Sequence, residues 1–200
     1  IRDSVMTERA SLELHNLPVE VAELLDRLDV HPYLLAHLVL VHDSAQRLVS
    51  AIEENWPALS FDANLVHFGA ATHDIGKVQH PEEMSGPGTK HHRAGSGLLQ
   101  GMGVEANKAR FAQTHGAWRS GEHSSMEDLL VSLADVVWSG GREQDLEDMI
   151  TEQLAESDGS ELWQTFMALD DILTRITKDA ELRLVWQTQF APDRGDSQQV

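Results

Sequence analysis

YLLAHLVLVHDSAQRLVSAIEE, residues 33–54, repeats apolar side chains at Leu34, Leu38, Val41, Ala45, Leu48 and Ile52. Spacings of three and four hold these groups on one face of an α-helix of about 3.6 residues per turn, whereas a half-buried strand needs alternation. The pattern extends in both directions. Upstream, Pro18 to Leu28 sets Pro near a first turn and gathers Val21, Leu24, Leu25 and Leu28 on one face. Downstream, Asp62 can cap a helix whose inner face is Leu65, Phe68 and Ala71/Thr72, and Gly76 suits its end. Pro81, Gly86, Pro87 and Gly88 make 79–90 a loop. Helices over 91–100 and 104–115 follow, parted by Gly101 and Gly103. Ser124 with Glu127 resembles a capping box that opens a helix through Leu130, Leu133, Val136 and Val137. Past Gly140 and Gly141, helices are expected near 143–156 and 160–177, the second built on Leu162, Phe166, Leu169, Leu173 and Ile176. Leu182 to Phe190 fits helix or strand, and 195–200 reads as a frayed tail. With no strand–helix alternation and no internal repeat, the fold class is all-α.

Two hundred residues fit one domain. The chain carries 15 Lys+Arg against 33 Asp+Glu, a formal charge of −18, yet 41% hydrophobic residues suffice for a core and exclude a disordered acidic chain. Apolar runs such as Leu38 to Val41 fall far short of the ~20 residues of a membrane span. No basic stretch followed by an apolar one marks a secretory signal, so a cytoplasmic location is the expectation. Cysteine is absent, which removes disulfides, thiolate metal sites and Cys nucleophiles together. Neutralising duplex nucleic acid needs clustered Lys and Arg, and no basic stripe is present. Eleven histidines are the compositional anomaly, most of them between His31 and His92.

Some of these histidines occur where a polar group is costly. His42 lies in the long periodic helix beside Leu38, Ala45 and Val49, and Asp135 lies within Leu133-Ala134-Asp135-Val136-Val137. A buried imidazole or carboxylate needs a partner. Together with the adjacent His73 and Asp74, they point to one shared divalent cation, which accepts imidazole nitrogen and carboxylate oxygen alike. His91 and His115 fall on the intervening helices, and the second oxygen of Asp74 could bridge to a second ion held by them. His37, five residues before His42, falls largely off that face.

The ordered set His42, His73-Asp74-Ile75-Gly76-Lys77, His91, His115 and Asp135 resembles the HD-domain metal-dependent phosphohydrolase superfamily. HDIGK is a common form of its central motif. KHHRAGSGLL (90–99) is similar to the segment in which a ligand His precedes Gly by four positions, which selects His91 over His92 through Gly95. The matches span roughly 31–142. The resemblance implies an HD-type helical bundle over 1–142, with 143–200 completing it or forming a dimer surface. It also implies metal ligands His42, His73, Asp74, His91, His115 and Asp135. The implied cofactors are two divalent transition-metal ions, Fe or Mn favoured, with Zn, Co and Ni also compatible with nitrogen and oxygen ligands. No Gly-Tyr-Pro follows HDIGK and no Glu-Asp pair succeeds it, so two familiar subfamilies of the superfamily do not fit. Spacing through His91, His115, Asp135 and Gly140-Gly141-Arg142 is similar to the HD-type diadenosine tetraphosphate hydrolases.

The implied reaction is hydrolysis of a phosphoester or phosphoanhydride of a nucleotide or similar small molecule by metal-activated water. Asp74 and Lys77 are the candidate catalytic residues. Lys77, Arg119 and Arg142 are candidates for substrate phosphate, with Met84, Trp118 and Trp138 near the mouth of the site. The competing expectation is a regulatory module that binds a nucleotide without turnover. A complete ligand set favours catalysis, because a purely structural site needs no second ion.

Overall fold

The computed structural model describes residues 12–84, 86–120 and 124–191. Among these residues all regular structure is helical. Helix α1 (Val19–Arg27) begins at Pro18. The next, α2 (Pro32–Asn55), has its proline in the first turn, where a missing N–H costs nothing, and the His31 ring accepts from Tyr33 N–H. Asp62 caps α3 (Ala63–Thr72) as expected, accepting from Asn64 and Leu65 N–H at 2.9 and 3.2 Å. The remaining α-helices are α4 (Lys90–Gly101), α5 (Ala106–Ala109), α6 (Phe111–Thr114), α7 (Met126–Val137), α8 (Gln144–Asp158), α9 (Leu162–Thr177) and α10 (Ala180–Thr188).

Helix α2 is the axis of the molecule. It packs against α3, α7, α9 and α10, and its buried residues run almost without a break from Leu34 to Ala45. The amphipathic stripe of the sequence therefore understates its burial: neighbours cover nearly the whole circumference. The C-terminal helices belong to the same core, with Leu146, Ile150, Leu154, Leu169, Leu173 and Trp186 in contact with it. Leu182–Phe190 resolves as helix up to Thr188, because α10 packs along α2 rather than beside a strand.

The boundaries that moved have local causes. Ser125, not Ser124, is the N-cap of α7; it accepts from Asp128 N–H, while Glu127 leaves the cap to accept from Asp62 N–H at 2.9 Å. The 104–115 helix divides at Arg110 into α5 and α6. The 79–90 loop contains a 3₁₀ turn, Pro81–Met84. The 195–200 tail lies outside the described residues. No helix among the described residues is long and apolar enough to cross a membrane.

Candidate metal centre

Helix α3 stops at Thr72, and the chain turns through His73 and Asp74 into a 3₁₀ helix, Ile75–Val78. Gly76 is required here by close approach: a Cβ would stand 1.9 Å from the His91 carbonyl oxygen and 2.6 Å from Gly95 N. Gly95 is equally crowded, its added Cβ falling 2.9 Å from Gly76 N and from the Ala112 methyl. Paired glycines thus let the backbone of α4 touch the HDIGK turn and bring His91 beside Asp74.

Asp74 is the hub. Its Oδ1 lies 3.0 Å from His91 Nε2 and 3.7 Å from His115 Nε2. Its Oδ2 faces the other way, 3.2 Å from His37 Nε2 and 3.6 Å from His73 Nε2, and accepts from Lys77 Nζ. Asp135, from α7, sets Oδ1 3.3 Å from His73 Nε2 and 3.5 Å from His37 Nε2. The described residues thus hold two groups whose donor atoms lie within 4.8 Å of one another: His37, His73 and Asp135, and His91, His92 and His115.

The rings are pre-aimed. His73 Nδ1 pairs with the Ala70 carbonyl at 3.0 Å, His115 Nδ1 with the Phe111 carbonyl at 3.2 Å, and His91 Nδ1 with Glu83 Oε2 at 2.6 Å. With the proton on Nδ1 donated outward, each Nε2 lone pair points toward the Asp74 carboxylate, the tautomer a metal ligand needs. Lone pairs of imidazoles and carboxylates meeting at this range repel unless a cation or proton sits among them. The donor chemistry fits divalent transition-metal ions.

Ionisation follows the same logic. Burial pushes His73 down, but the Asp74 and Asp135 carboxylates outweigh it and its pKa is raised. Burial pushes His115 down, the charge of His73 adds to it, and it falls to about 3. For Asp74 and Asp135 burial opposes ionisation, yet His73 and its neighbours hold both carboxyls well below the usual range.

An open cleft of about 270 Å³ leads to these groups, walled by Lys77, Trp118, Arg119 and Ser132 besides the histidines and acids. Arg119 stacks over the Trp118 ring at 4.3 Å and reaches Glu143 at 3.1 Å, so it edges the cleft as its sequence position suggested. Met84 and Trp138 line a smaller adjoining pocket.

Comparison with family models gives a match to the HD domain over residues 18–151. The chain belongs to the HD-domain family. Comparisons with curated proteins and with solved structures returned no match. The helices from α9 onward lie beyond this HD-domain match, although they share its core.

Two sequence assignments need correction within this HD fold. His42 is not among the converging groups; its place is taken by His37. Five residues of helix rotate a side chain by about 140°, at about 100° per residue. That rotation carries His42 to the opposite flank of α2, its ring 5.9 Å from His67 and its Nε2 3.5 Å from the Gln46 amide. Arg142 does not edge the cleft either. It clamps Glu147 with Nε and Nη2 at 2.8 and 2.6 Å and Asp170 at 2.6 Å, joining the start of α8 to α9. His91 and His92 both stand beside His115, and His91 is the one set 3.0 Å from Asp74.

Residues overlooked in the sequence support the ligands from behind. Glu83 is buried in the 3₁₀ turn and accepts from His91 N–H and Lys90 N–H as well as the His91 ring. Burial works against its charge, but these bonds prevail and hold the carboxyl at about 2. Ser132 donates to the His115 carbonyl at 2.6 Å, fixing the turn that presents that ring. A carboxylate orienting a ligand histidine is worth about 10–100-fold in metal affinity. For an ion held at the His91 group, Glu83→Gln is therefore expected to weaken binding about tenfold, and Glu83→Ala nearer a hundredfold, in a chelator-competition titration. Equal weakening of both ions would show that Glu83 serves the fold as a whole.

Proposed function

We propose that this HD-domain chain is a metal-dependent phosphohydrolase that cleaves a phosphoester or phosphoanhydride of a nucleotide or similar small phosphorylated molecule. The observation that carries the reading is Asp74, whose two carboxylate oxygens address two separate histidine groups beneath an open cleft. His37, His73 and Asp135 would hold one ion and His91, His92 and His115 the other, with Asp74 between them. When bound, divalent transition metals, Fe or Mn favoured by the family resemblance, supply a water acidic enough to attack at neutral pH and positive charge for the phosphoryl oxygens.

The remaining work falls to side chains. Lys77 is largely shielded from solvent between the carboxylate hub and the cleft, where its ammonium can take a non-bridging phosphate oxygen. Arg119, at the rim, offers a planar guanidinium suited to a second phosphate contact, with Trp118 holding its plane. These cations and the metals give an anionic substrate a local positive target in a chain of charge −18. With Arg142 engaged by Glu147 and Asp170, the likeness to dinucleoside polyphosphate hydrolases loses one of its supports. The test is metal content per chain, followed by turnover of a generic aryl phosphodiester and a nucleotide panel with each candidate metal. Metal-dependent turnover is the expected result; metal-replete protein inert toward every substrate would make the chain a binding module.

A further inference from the structure

A second pocket, of about 170 Å³, adjoins the metal cleft and shares His37 and Lys77 with it. Its other walls differ in kind. Tyr33, Leu34, Met84 and Trp138 are apolar or aromatic, and among the described residues no carboxylate or arginine lines it. Trp138 stands edge-on to the His37 imidazole, ring centroids 5.1 Å apart, so the aromatic wall begins where the metal ligands end.

One polar side chain interrupts this surface. Gln187, on α10, is 5% exposed and lines the pocket, yet no group among the described residues hydrogen-bonds its side-chain amide. That leaves the amide open to the pocket, where it can exchange water for a ligand's hydrogen-bonding edge. Its placement is secured by Arg183, one turn earlier on the same face of α10. The Arg183 guanidinium donates to the Ile176 carbonyl at 2.9 Å and to the Trp138 carbonyl at 3.5 Å, and lies 3.5 Å from Asp43. One buried arginine thus ties the helix carrying Gln187 to the backbone of the aromatic wall. Both Arg183 and Gln187 lie outside the residues that match the HD domain.

We infer that this pocket receives the nucleobase of the substrate, stacked against Trp138 and read along its edge by the Gln187 amide, while the phosphate lies over Lys77 and the metal ligands. The inference rests on the phosphohydrolase reading for its phosphate half. Beyond the shared Lys77 and His37, a slot walled by Tyr33, Leu34, Met84 and Trp138 suits a planar ring, and an amide offering both donor and acceptor suits a heterocycle better than a plain aryl group. Base–aromatic stacking is typically worth about 10- to 100-fold in affinity.

The test uses the metal-loaded full chain and compares kcat/KM for adenosine, guanosine, cytidine and uridine monophosphates with that for ribose 5-phosphate, which carries no base. The preferred nucleotide should exceed ribose 5-phosphate by at least about tenfold, and Gln187→Leu should collapse that ratio toward unity. Gln187→Glu, an acceptor only, should change the order of preference among the four bases, because it can no longer donate to a ring nitrogen or carbonyl oxygen. Ribose 5-phosphate matching every nucleotide in the wild type, or Gln187→Leu scaling all substrates alike, would overturn the assignment. Should no phosphoester turn over, equilibrium dialysis with the four phosphate-free nucleosides decides separately. Saturable binding lost in Gln187→Leu upholds the pocket while hydrolysis falls, and absence of nucleoside binding sinks the pocket too.

Discussion

Asp74→Ala and His37→Ala are expected to keep the helical far-ultraviolet signature, bind less metal per chain than the wild type, and lose phosphoester turnover by more than about a thousandfold. The size follows from what goes missing: even one electrostatic donor removed from a preorganised site costs about 10²–10³ in rate, and here the hub of the cation site is lost. Asp74→Ala removes both oxygens that connect the two histidine groups, so both ions should weaken. His37→Ala removes one member of a single group and should spare an ion at the His91, His92 and His115 group. His42→Ala is the decisive companion. It should retain full metal content and near wild-type turnover while melting earlier, because its ring packs with His67 and Gln46 on the far flank of α2. Metal lost from His42→Ala and kept by His37→Ala would return the assignment to the one drawn from sequence.

That pair of histidines shows where sequence reading stops. The helical period of 33–54 identifies α2 because apolar spacing reports directly on backbone geometry. The same signal cannot orient a helix that is buried all round: His42 looks costly to bury in the sequence, and it is buried, but so is most of the circumference. One clue was present. His42 precedes Asp43, a second His-Asp dipeptide, and Asp43 has Arg47 four residues on; that i,i+4 pair, 2.8 Å apart, marks this turn for ion pairing instead of metal binding. The motif-borne residues His73, Asp74, His91, His115 and Asp135 do converge, since HDIGK and the glycine four residues after His91 describe a local backbone approach. Arg142 gave no such purchase. Its partners Glu147 and Asp170 belong to two different helices, and only the packing of α8 on α9 brings them to it. Glu83 and Gln187 are likewise tertiary facts: one sits in an irregular turn, the other on a helix beyond the HD-domain match.

Asp43→Ala should destabilise the protein by about 3–5 kcal/mol, the usual cost of removing one partner from a buried charge pair. Against a total of about 5–15 kcal/mol, that is a large share of the stability of a domain. Asp43 is fully buried at the centre of α2 and joins three parts of the chain. It accepts from His15 N–H at 3.0 Å and Arg47 Nε at 2.8 Å, and lies 3.5 Å from Arg183 Nη2. Without it the Arg183 guanidinium, 2% exposed, keeps two carbonyl partners but loses the nearer of its counter-charges, leaving Asp179. Burial alone would raise the Asp43 pKa, but the bonds from Arg47 and His15 overcome it and the value is lowered. A depressed folded pKa fixes the sign of the pH effect. Stabilisation is complete above the unfolded aspartate value of about 3.9 and drains away as pH falls through the folded value. Asp43→Asn, which keeps the shape, should therefore be less stable at neutral pH and lose less further stability in acid than the wild type. Urea unfolding of metal-free protein at neutral and acidic pH checks both, read from the midpoint at constant m-value. A loss under about 1 kcal/mol at neutral pH, the scale of an exposed pair, would mean that Asp43 does not hold the N-terminal segment, α2 and α10 together.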